Sequence, residues 1–201
     1  ALIDIVRAAR QLAPASRDWA AVGYSLGGQA ALFAGAVARD YAPELRARGV
    51  VGMAAISQWK LLLEGGSAPA AQVWPSAPFS MLTWGRTYGG KEFSASVPLT
   101  ARGAQLTRLA GTTCIDELVT TMAGITNAEF YRDSRAAAAA QAELMAPHEI
   151  PVAELGGRAG IPVRLAHGTE DPLPMTISQL TAEQLTAAGA DAQFLPVEGA
   201  D

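Results

Sequence analysis

A chain of 201 residues, of which 50% are apolar and 17% are charged, can form one domain with a sizeable core, or one domain with an insertion. Its net charge of −4 excludes the basic surface with which proteins bind nucleic acid or anionic membranes. No apolar run approaches the roughly 20 residues that a membrane-spanning helix needs. We therefore expect neither a nucleic-acid partner nor a transmembrane segment.

The single cysteine, Cys114, excludes a disulfide within this chain and a metal site built from several cysteines. We expect its side chain to be small, apolar and buried rather than a reactive thiol. The first residue is alanine and a helical pattern begins at once, so we expect the sequence to be a piece of a longer protein. The residues themselves do not predict where in the cell that protein acts.

The first elements predicted are a helix and a strand. Residues 1–12 favour an amphipathic helix, because apolar side chains recur at helical spacing, at Leu2, Ile5, Val6, Ala9 and Leu12. Pro14, Ser16 and Asp18 interrupt this pattern and predict a loop. The apolar run over 19–22 then predicts a buried strand.

A Gly-x-Ser-x-Gly motif, Gly23-Tyr24-Ser25-Leu26-Gly27-Gly28, follows that strand and precedes a helix predicted over 26–39. A strand that turns into a helix within so few residues strains the serine backbone and pushes the hydroxyl outward. We expect Gly23 and Gly27 to be glycine because side chains would collide across the turn. The motif predicts that Ser25 is a nucleophile, and the alternative is an ordinary glycine-rich loop.

Residues 49–56 form a second candidate strand, nearly all apolar, as is typical of a central parallel strand covered on both faces. Two strands joined through a helix make a βαβ unit, with Ser25 at the carboxyl end of the first strand. Open α/β sheets place their chemistry at this edge. The sequence therefore predicts an α/β fold with a parallel sheet flanked by helices.

Between the second strand and residue 160 the pattern changes. Helical spacing occurs over 103–110, 114–122 and 127–145, and no strand is predicted. We expect a mostly helical insertion over 57–159 that caps a core formed by 1–56 and 160–201. The alternative is that these helices cover the faces of the sheet. We favour the cap, because a crossover between parallel strands needs only a dozen or so residues.

The strand pattern returns over 161–168, followed by a turn, a helix over 175–188 and a last strand over 192–197. The turn contains Asp171, which would lie at the same sheet edge as Ser25 and is our candidate acid. Glu170, Asp191 and Asp201 are weaker candidates. The alternative for Asp171 is a turn carboxylate that accepts local backbone hydrogen bonds.

A nucleophilic serine also needs a base, and the chain has two histidines. His167 ends a predicted strand four residues before Asp171, so we expect it to stabilise that turn. We expect His148, within the helical block, to be a surface or packing residue. In these roles neither histidine would serve as the base.

Several stretches together resemble α/β-hydrolases: the serine turn with Gln29-Ala30-Ala31-Leu32 after it, Ala42-Pro43-Glu44-Leu45, and His167-Gly168-Thr169-Glu170-Asp171-Pro172-Leu173-Pro174. The secretory (LIP-type) lipases of bacteria and fungi are the most similar within that superfamily. The resemblance covers about 1–56 and 160–201 and implies that Ser25 is the nucleophile, Asp171 the acid and the Leu26 N–H one oxyanion donor. It also implies a histidine base after the last strand, which we expect just after Asp201, outside this sequence. It further implies a second oxyanion donor from an earlier strand, no cofactor and a secreted protein.

The leading hypothesis is a lipase or carboxylesterase that forms an acyl-enzyme on Ser25 from a small-molecule or lipid ester, without a metal or cofactor. A peptidase or acyltransferase with the same triad is an alternative, as is a non-catalytic relative that serves binding. The oligomeric state is not predicted. Apolar residues of the insertion would line an acyl pocket or form the core of the cap; they are Trp59, Leu61, Leu62, Leu63, Trp74, Phe79, Met81 and Trp84.

Overall fold

The computed structural model describes residues 1–158 and 160–200, so the candidate acid Asp201 lies outside the described residues. The chain forms two compact units. The sheet unit comprises residues 1–58 and the chain from 149 onwards, and the helical unit comprises residues 59–148. The predicted insertion has different limits, 57–159. Ile150 and Leu155, which it includes, are buried in the core of the sheet unit.

The sheet has four parallel strands, β1 (Asp18–Tyr24), β2 (Arg46–Met53), β3 (Val163–Gly168) and β4 (Ala192–Val197), in the order β1-β2-β3-β4. In chain order the helices are α1 (Leu2–Leu12), α2 (Leu26–Tyr41), α3 (Trp59–Gly65), α4 (Ala77–Thr87), α5 (Gly90–Ser96), α6 (Ala101–Leu109), α7 (Ile115–Met122), α8 (Asn127–Phe130), α9 (Ser134–Met145) and α10 (Thr176–Ala187). A 3₁₀ turn (Ala146–His148) and a π-turn (Glu154–Arg158) complete them. The predicted α/β class with a parallel sheet is confirmed.

The core of the sheet unit lies on one face of the sheet. Helix α2 packs on β1 and β2, and α10 packs on β3 and β4. The side chains between them include Leu32, Val50, Val163, Leu165 and Leu185, all at most 1% exposed. Removing this much apolar surface from water is the main favourable contribution to folding.

The opposite face of the sheet is apolar and exposed. The register aligns Tyr24 with Met53 and Ala166 with Leu195, and successive residues of a strand point to opposite faces. Val22 is 63% exposed and Tyr24 is 55% exposed. The prediction that β1 is buried is therefore wrong, as is the prediction that β2 is covered on both faces up to its carboxyl end.

The helical unit has a core of its own, which includes Val73, Leu106, Leu118, Met122 and Phe130. As predicted, no strand occurs among its described residues. Two isolated antiparallel β-bridges are present, between Gln72 and Thr126 and between Leu99 and Tyr131.

The helix predicted over 127–145 is two helices, α8 and α9. The backbone is extended at Tyr131 and at Asp133, and the Asp133 carboxylate accepts the Ala136 N–H at 3.0 Å, which caps α9. The prediction for Cys114 is also wrong, because its side chain is exposed. Cys114 is the N-cap position of α7, one residue before the helix, and burial in α7 falls on Leu118 and Met122.

Other boundaries differ by a few residues. Strand β2 begins three residues before the predicted start and ends at Met53, because Ala54 has φ +41° and leaves the sheet. Helix α1 spans nearly the predicted residues, but its one buried side chain is Ile3. Much of the predicted apolar stripe, including Leu2, Ile5 and Leu12, is exposed.

Candidate active site

Ser25 lies directly after β1 and directly before α2, so the chain changes direction at this residue. Its backbone has φ +55° and ψ −121°, a region that residues with a side chain rarely adopt. Strain of this kind is typical of a serine that a strand-to-helix turn holds outward. The sharp turn that the motif predicts is present.

The glycines around Ser25 are constrained unequally. A Cβ on Gly23 would lie 2.0 Å from the carbonyl oxygen of Gly27, so no side chain fits there. A Cβ on Gly28 would lie 2.9 Å from the Cβ of Ala55. A Cβ on Gly27 would meet nothing within 4 Å, so the predicted collision at Gly27 is wrong. Gly27 contributes its backbone to the crowding, whereas its own Cβ direction is open.

The backbone of Ser25 is held by the chain that follows it and by the end of β2. The Ser25 N–H donates to the Met53 carbonyl at 2.9 Å. The Ser25 carbonyl accepts the N–H of Gln29 at 3.1 Å and of Ile56 at 3.2 Å. These three bonds keep the serine in its strained conformation, since a strained residue persists only where its surroundings over-determine it.

The Leu26 N–H is the first amide of α2. The first four amides of a helix have no acceptor within the helix, and the helix dipole makes that end attractive to negative charge. Leu26 directly follows Ser25, so this end of the helix lies beside the candidate nucleophile.

Asp171 lies three residues after β3, at the carboxyl edge of the sheet, and its side chain is 2% exposed. Its Oδ1 accepts the Leu173 N–H at 2.8 Å, the local backbone bond expected of a turn carboxylate. The Tyr24 hydroxyl donates to Oδ2 at 3.4 Å. The carboxylate therefore has one oxygen held within its own turn and the other facing the residue before Ser25.

Tyr24 is a site residue that the sequence analysis did not identify. Its neighbour Ser25 is the candidate nucleophile, and its hydroxyl reaches the candidate acid across 147 positions of sequence. The available signal was its place in the motif: side chains alternate along a strand, so the residue before the serine lies on the sheet face rather than in the turn.

The other acid candidates are placed less favourably. Asp191 precedes β4, at the amino end of that strand, where it pairs with Arg164 at 3.1 Å. Glu170 is exposed, and its backbone N–H donates to the Ala200 carbonyl. The carboxyl edge of the sheet therefore brings Ser25 together with the turn that holds Asp171.

Both histidines have defined partners. His167 is 1% exposed, and its ring lies 2.8 Å from Ser178 Oγ through Nδ1 and 3.1 Å from the Leu173 carbonyl oxygen through Nε2. This contact confirms that His167 stabilises the turn of Asp171. In the helical unit, His148 Nε2 lies 2.6 Å from the Tyr88 hydroxyl, and the two rings pack edge to face.

The apolar residues proposed for a pocket divide between buried and exposed positions. Leu62 and Met81 are buried in the helical unit, whereas Leu61 is 46% exposed. The rings of Trp59 and Trp84 pack edge to face with centroids 5.9 Å apart. Packing within the helical unit thus accounts for several of these side chains without a pocket.

Within 1–158 and 160–200, no group of three or more His, Cys, Asp or Glu side chains is placed to hold a metal ion. None of the helices described is long and apolar enough to cross a bilayer.

No family model and no curated protein matches this chain. Solved structures do match. A presumed hydrolase from Legionella pneumophila has a TM-score of 0.76 and 15% identity, over 99% of this chain and 56% of that one. The rice cell wall degrading esterase LipA from Xanthomonas oryzae has a TM-score of 0.70 and 16% identity, over 99% and 57%.

Lipase A from Candida antarctica, in its closed state, has a TM-score of 0.62 and 21% identity, over 90% of this chain and 44% of that one. The chain therefore spans about half the length of these structures. At these identities the likeness shows the fold, and the chain has the α/β-hydrolase fold.

Proposed function

We propose that this chain carries the nucleophile and the acid of a serine hydrolase that cleaves carboxylic esters through an acyl-enzyme on Ser25. The observation that carries the proposal is the strained backbone of Ser25, at φ +55° and ψ −121°, on the sheet edge that also holds the Asp171 carboxylate. A strained residue at a strand-to-helix turn is costly, and a nucleophile held outward is a function that accounts for it.

In the proposed reaction the Ser25 Oγ attacks the ester carbonyl carbon, and a histidine base takes its proton. The carbonyl oxygen becomes an oxyanion, which accepts a hydrogen bond from the Leu26 N–H. The histidine then protonates the departing alcohol, which leaves an acyl-enzyme. Water, deprotonated by the same histidine, then attacks the acyl carbon. The bond to Ser25 Oγ breaks, the histidine returns the proton to that oxygen, and the carboxylic acid is released.

Asp171 has the proposed role of orienting that histidine and stabilising its charged form. The proposed base is a histidine beyond residue 201 in the intact protein. His167 does not suit this role, because the Leu173 carbonyl and the Ser178 hydroxyl occupy both of its ring nitrogens. Of the two Asp171 oxygens, Oδ2 is better suited to accept a hydrogen bond from the base. Its contact with the Tyr24 hydroxyl is weak, since the distance of 3.4 Å is near the upper limit for a hydrogen bond.

The proposed substrates are lipid or small-molecule esters. Two observations support this class: structures with the same fold include a lipase and an esterase, and the chain carries no excess of basic residues for a nucleic acid. The helical unit, inserted between β2 and β3, is the proposed cap that shapes the acyl site and excludes water.

The test uses the intact protein that contains this chain. A fluorophosphonate probe should label Ser25, and Ser25→Ala should abolish both labelling and hydrolysis of p-nitrophenyl esters. Ser16→Ala, in the loop before β1, is the matched control and should change neither. Labelling that persists in Ser25→Ala would contradict the nucleophile, and turnover confined to peptides would contradict the ester substrate.

A further inference from the structure

Two buried polar side chains, His167 and Ser178, form a hydrogen-bonded pair near Asp171, on the helix-covered face of the sheet. His167 is 1% exposed and Ser178 of α10 is 0% exposed. Burying polar side chains is unfavourable unless their hydrogen bonds are satisfied, and here they are satisfied by each other and by Leu173. The ester chemistry proposed above uses neither residue directly.

The hydrogen bonds define the protonation of the His167 ring. The Leu173 carbonyl is only an acceptor, so Nε2 must carry the hydrogen and donate it. In a neutral imidazole the other nitrogen is an acceptor, so Nδ1 accepts the hydroxyl hydrogen of Ser178. The Leu173 carbonyl thus fixes the tautomer, and the Ser178 hydroxyl satisfies the other ring nitrogen and holds the ring in place.

We propose that His167 and Ser178 are positioning residues for Asp171, acting through Leu173; this rests on the function proposed for Asp171. Leu173 is held at both of its backbone groups. Its carbonyl accepts from His167 at 3.1 Å, and its N–H donates to Asp171 Oδ1 at 2.8 Å. The carboxylate rotamer is therefore set by Oδ1, which presents Oδ2 toward β1 and the residue before Ser25.

The helix that carries Ser178 is also anchored to the segment that holds Ser25. The Gln58 side chain donates to Thr181 Oγ1 at 3.0 Å and to Gln184 Oε1 at 2.9 Å, and both acceptors are on α10. Two positions before Gln58, the Ile56 N–H bonds the Ser25 carbonyl. One helix thereby fixes the acid turn on one side and the serine turn on the other.

The experiment compares two substitutions of His167 in the intact protein. An amide nitrogen in His167→Gln falls near the position of Nε2 and can still donate to the Leu173 carbonyl, whereas the shorter His167→Asn cannot reach it. We expect His167→Asn to lower kcat about 100-fold, the effect of misplacing a catalytic group by about 1 Å, with KM nearly unchanged. His167→Gln should recover most of the lost kcat. Each rate is divided by the concentration of active sites that the fluorophosphonate labels, so that unfolded protein does not count as a loss of kcat.

Ser178→Ala is the second variant, for the case that His167→Asn does not fold. It should lower kcat about tenfold, because Nδ1 of His167 loses its hydrogen-bond partner and the ring that holds the Leu173 carbonyl is less well fixed. Gln179→Ala, at the adjacent exposed position of α10, is the control and should leave kcat unchanged. A kcat equal to that of the wild type in Ser178→Ala, or in a folded His167→Asn, would overturn the inference.

A readout that needs no turnover separates this inference from the proposed function. Nitrogen-15 NMR should find the hydrogen of His167 on Nε2, and amide exchange at Leu173 should be faster in Ser178→Ala than in Gln179→Ala. A hydrogen on Nδ1, or unchanged exchange at Leu173, would refute the positioning role even if Ser25 reacts. Failure of Ser25 to react with the probe, with the expected NMR result, would instead refute the proposed hydrolase while leaving the hydrogen-bond chain established.

Discussion

The Tyr24 hydroxyl lies 3.4 Å from Oδ2 of Asp171, which connects the strand that ends at the candidate nucleophile to the turn that bears the candidate acid. The two residues are on β1 and after β3, with β2 between those strands. The contact therefore spans the carboxyl edge of the sheet, where the chemistry of this fold is expected.

Replacing Tyr24 by phenylalanine should lower kcat about fivefold. A net hydrogen bond contributes about 1 kcal/mol, which corresponds to about fivefold in rate if the bond acts only through the orientation of Asp171. Tyr41→Phe is the matched control, because the Tyr41 hydroxyl bonds Asp4 in the first helix and not the site. Ester hydrolysis by the intact protein measures both, and a larger loss in Tyr41→Phe would contradict the assignment.

Alanine at Gly23 and at Gly27 should have opposite effects. Gly23→Ala places a Cβ 2.0 Å from the Gly27 carbonyl oxygen, so the turn must distort, and labelling of Ser25 by a fluorophosphonate should be lost. Gly27→Ala meets open space on the first turn of α2, where alanine stabilises a helix by up to about 1 kcal/mol relative to glycine. Thermal unfolding and probe labelling check the pair, and loss of labelling in Gly27→Ala would count against this geometry.

Replacing valine by threonine should change the free energy of unfolding by different amounts on the two faces of the sheet. Val50→Thr buries a hydroxyl at a position that is 1% exposed and should lower the free energy of unfolding by about 2 kcal/mol. Val22→Thr, at 63% exposure, should change it by less than about 0.5 kcal/mol. It should also reduce the binding of a hydrophobic dye to the 201-residue chain. Denaturant unfolding measures the difference, and equal losses would show that the exposed face is covered in solution.

Alkaline pH should destabilise the helical unit through Tyr131. Burial raises the pKa of Tyr131 to about 12. An acid whose pKa is higher in the folded state than in the unfolded one favours folding below the unfolded value, about 10, and that stability is lost as the pH rises toward 12. The loss is of the order of 3 kcal/mol.

Tyr131→Phe removes this titration, so its unfolding free energy should fall less between pH 10 and pH 12 than that of the wild type. Absorbance of the phenolate reports the titration directly. Parallel pH curves for wild type and Tyr131→Phe would contradict the assignment of the alkaline loss to Tyr131.

Much of this site follows from local sequence. The motif around Ser25 predicts the strained turn, because Gly23 tolerates no side chain opposite the Gly27 carbonyl. The apolar runs before Ser25 and Asp171 predict parallel strands whose carboxyl ends meet. The role of His167 as a stabiliser of the turn is likewise predictable from its position at the end of β3, four residues before the acid.

Other properties depend on contacts between residues that are distant in sequence. The tight position at Gly28 depends on where Ala55 packs, and the exposure of Cys114 depends on which side of α7 meets its core. Periodicity likewise does not say which face of a sheet receives helices. The sequence therefore determined the four strands, the helices that flank them, their order along the chain and the serine turn, because local sterics and side-chain period decide these. Only the tertiary structure decided that Tyr24 reaches Asp171 and that Ser178 and His167 hold Leu173, because packing of separate elements creates those distances.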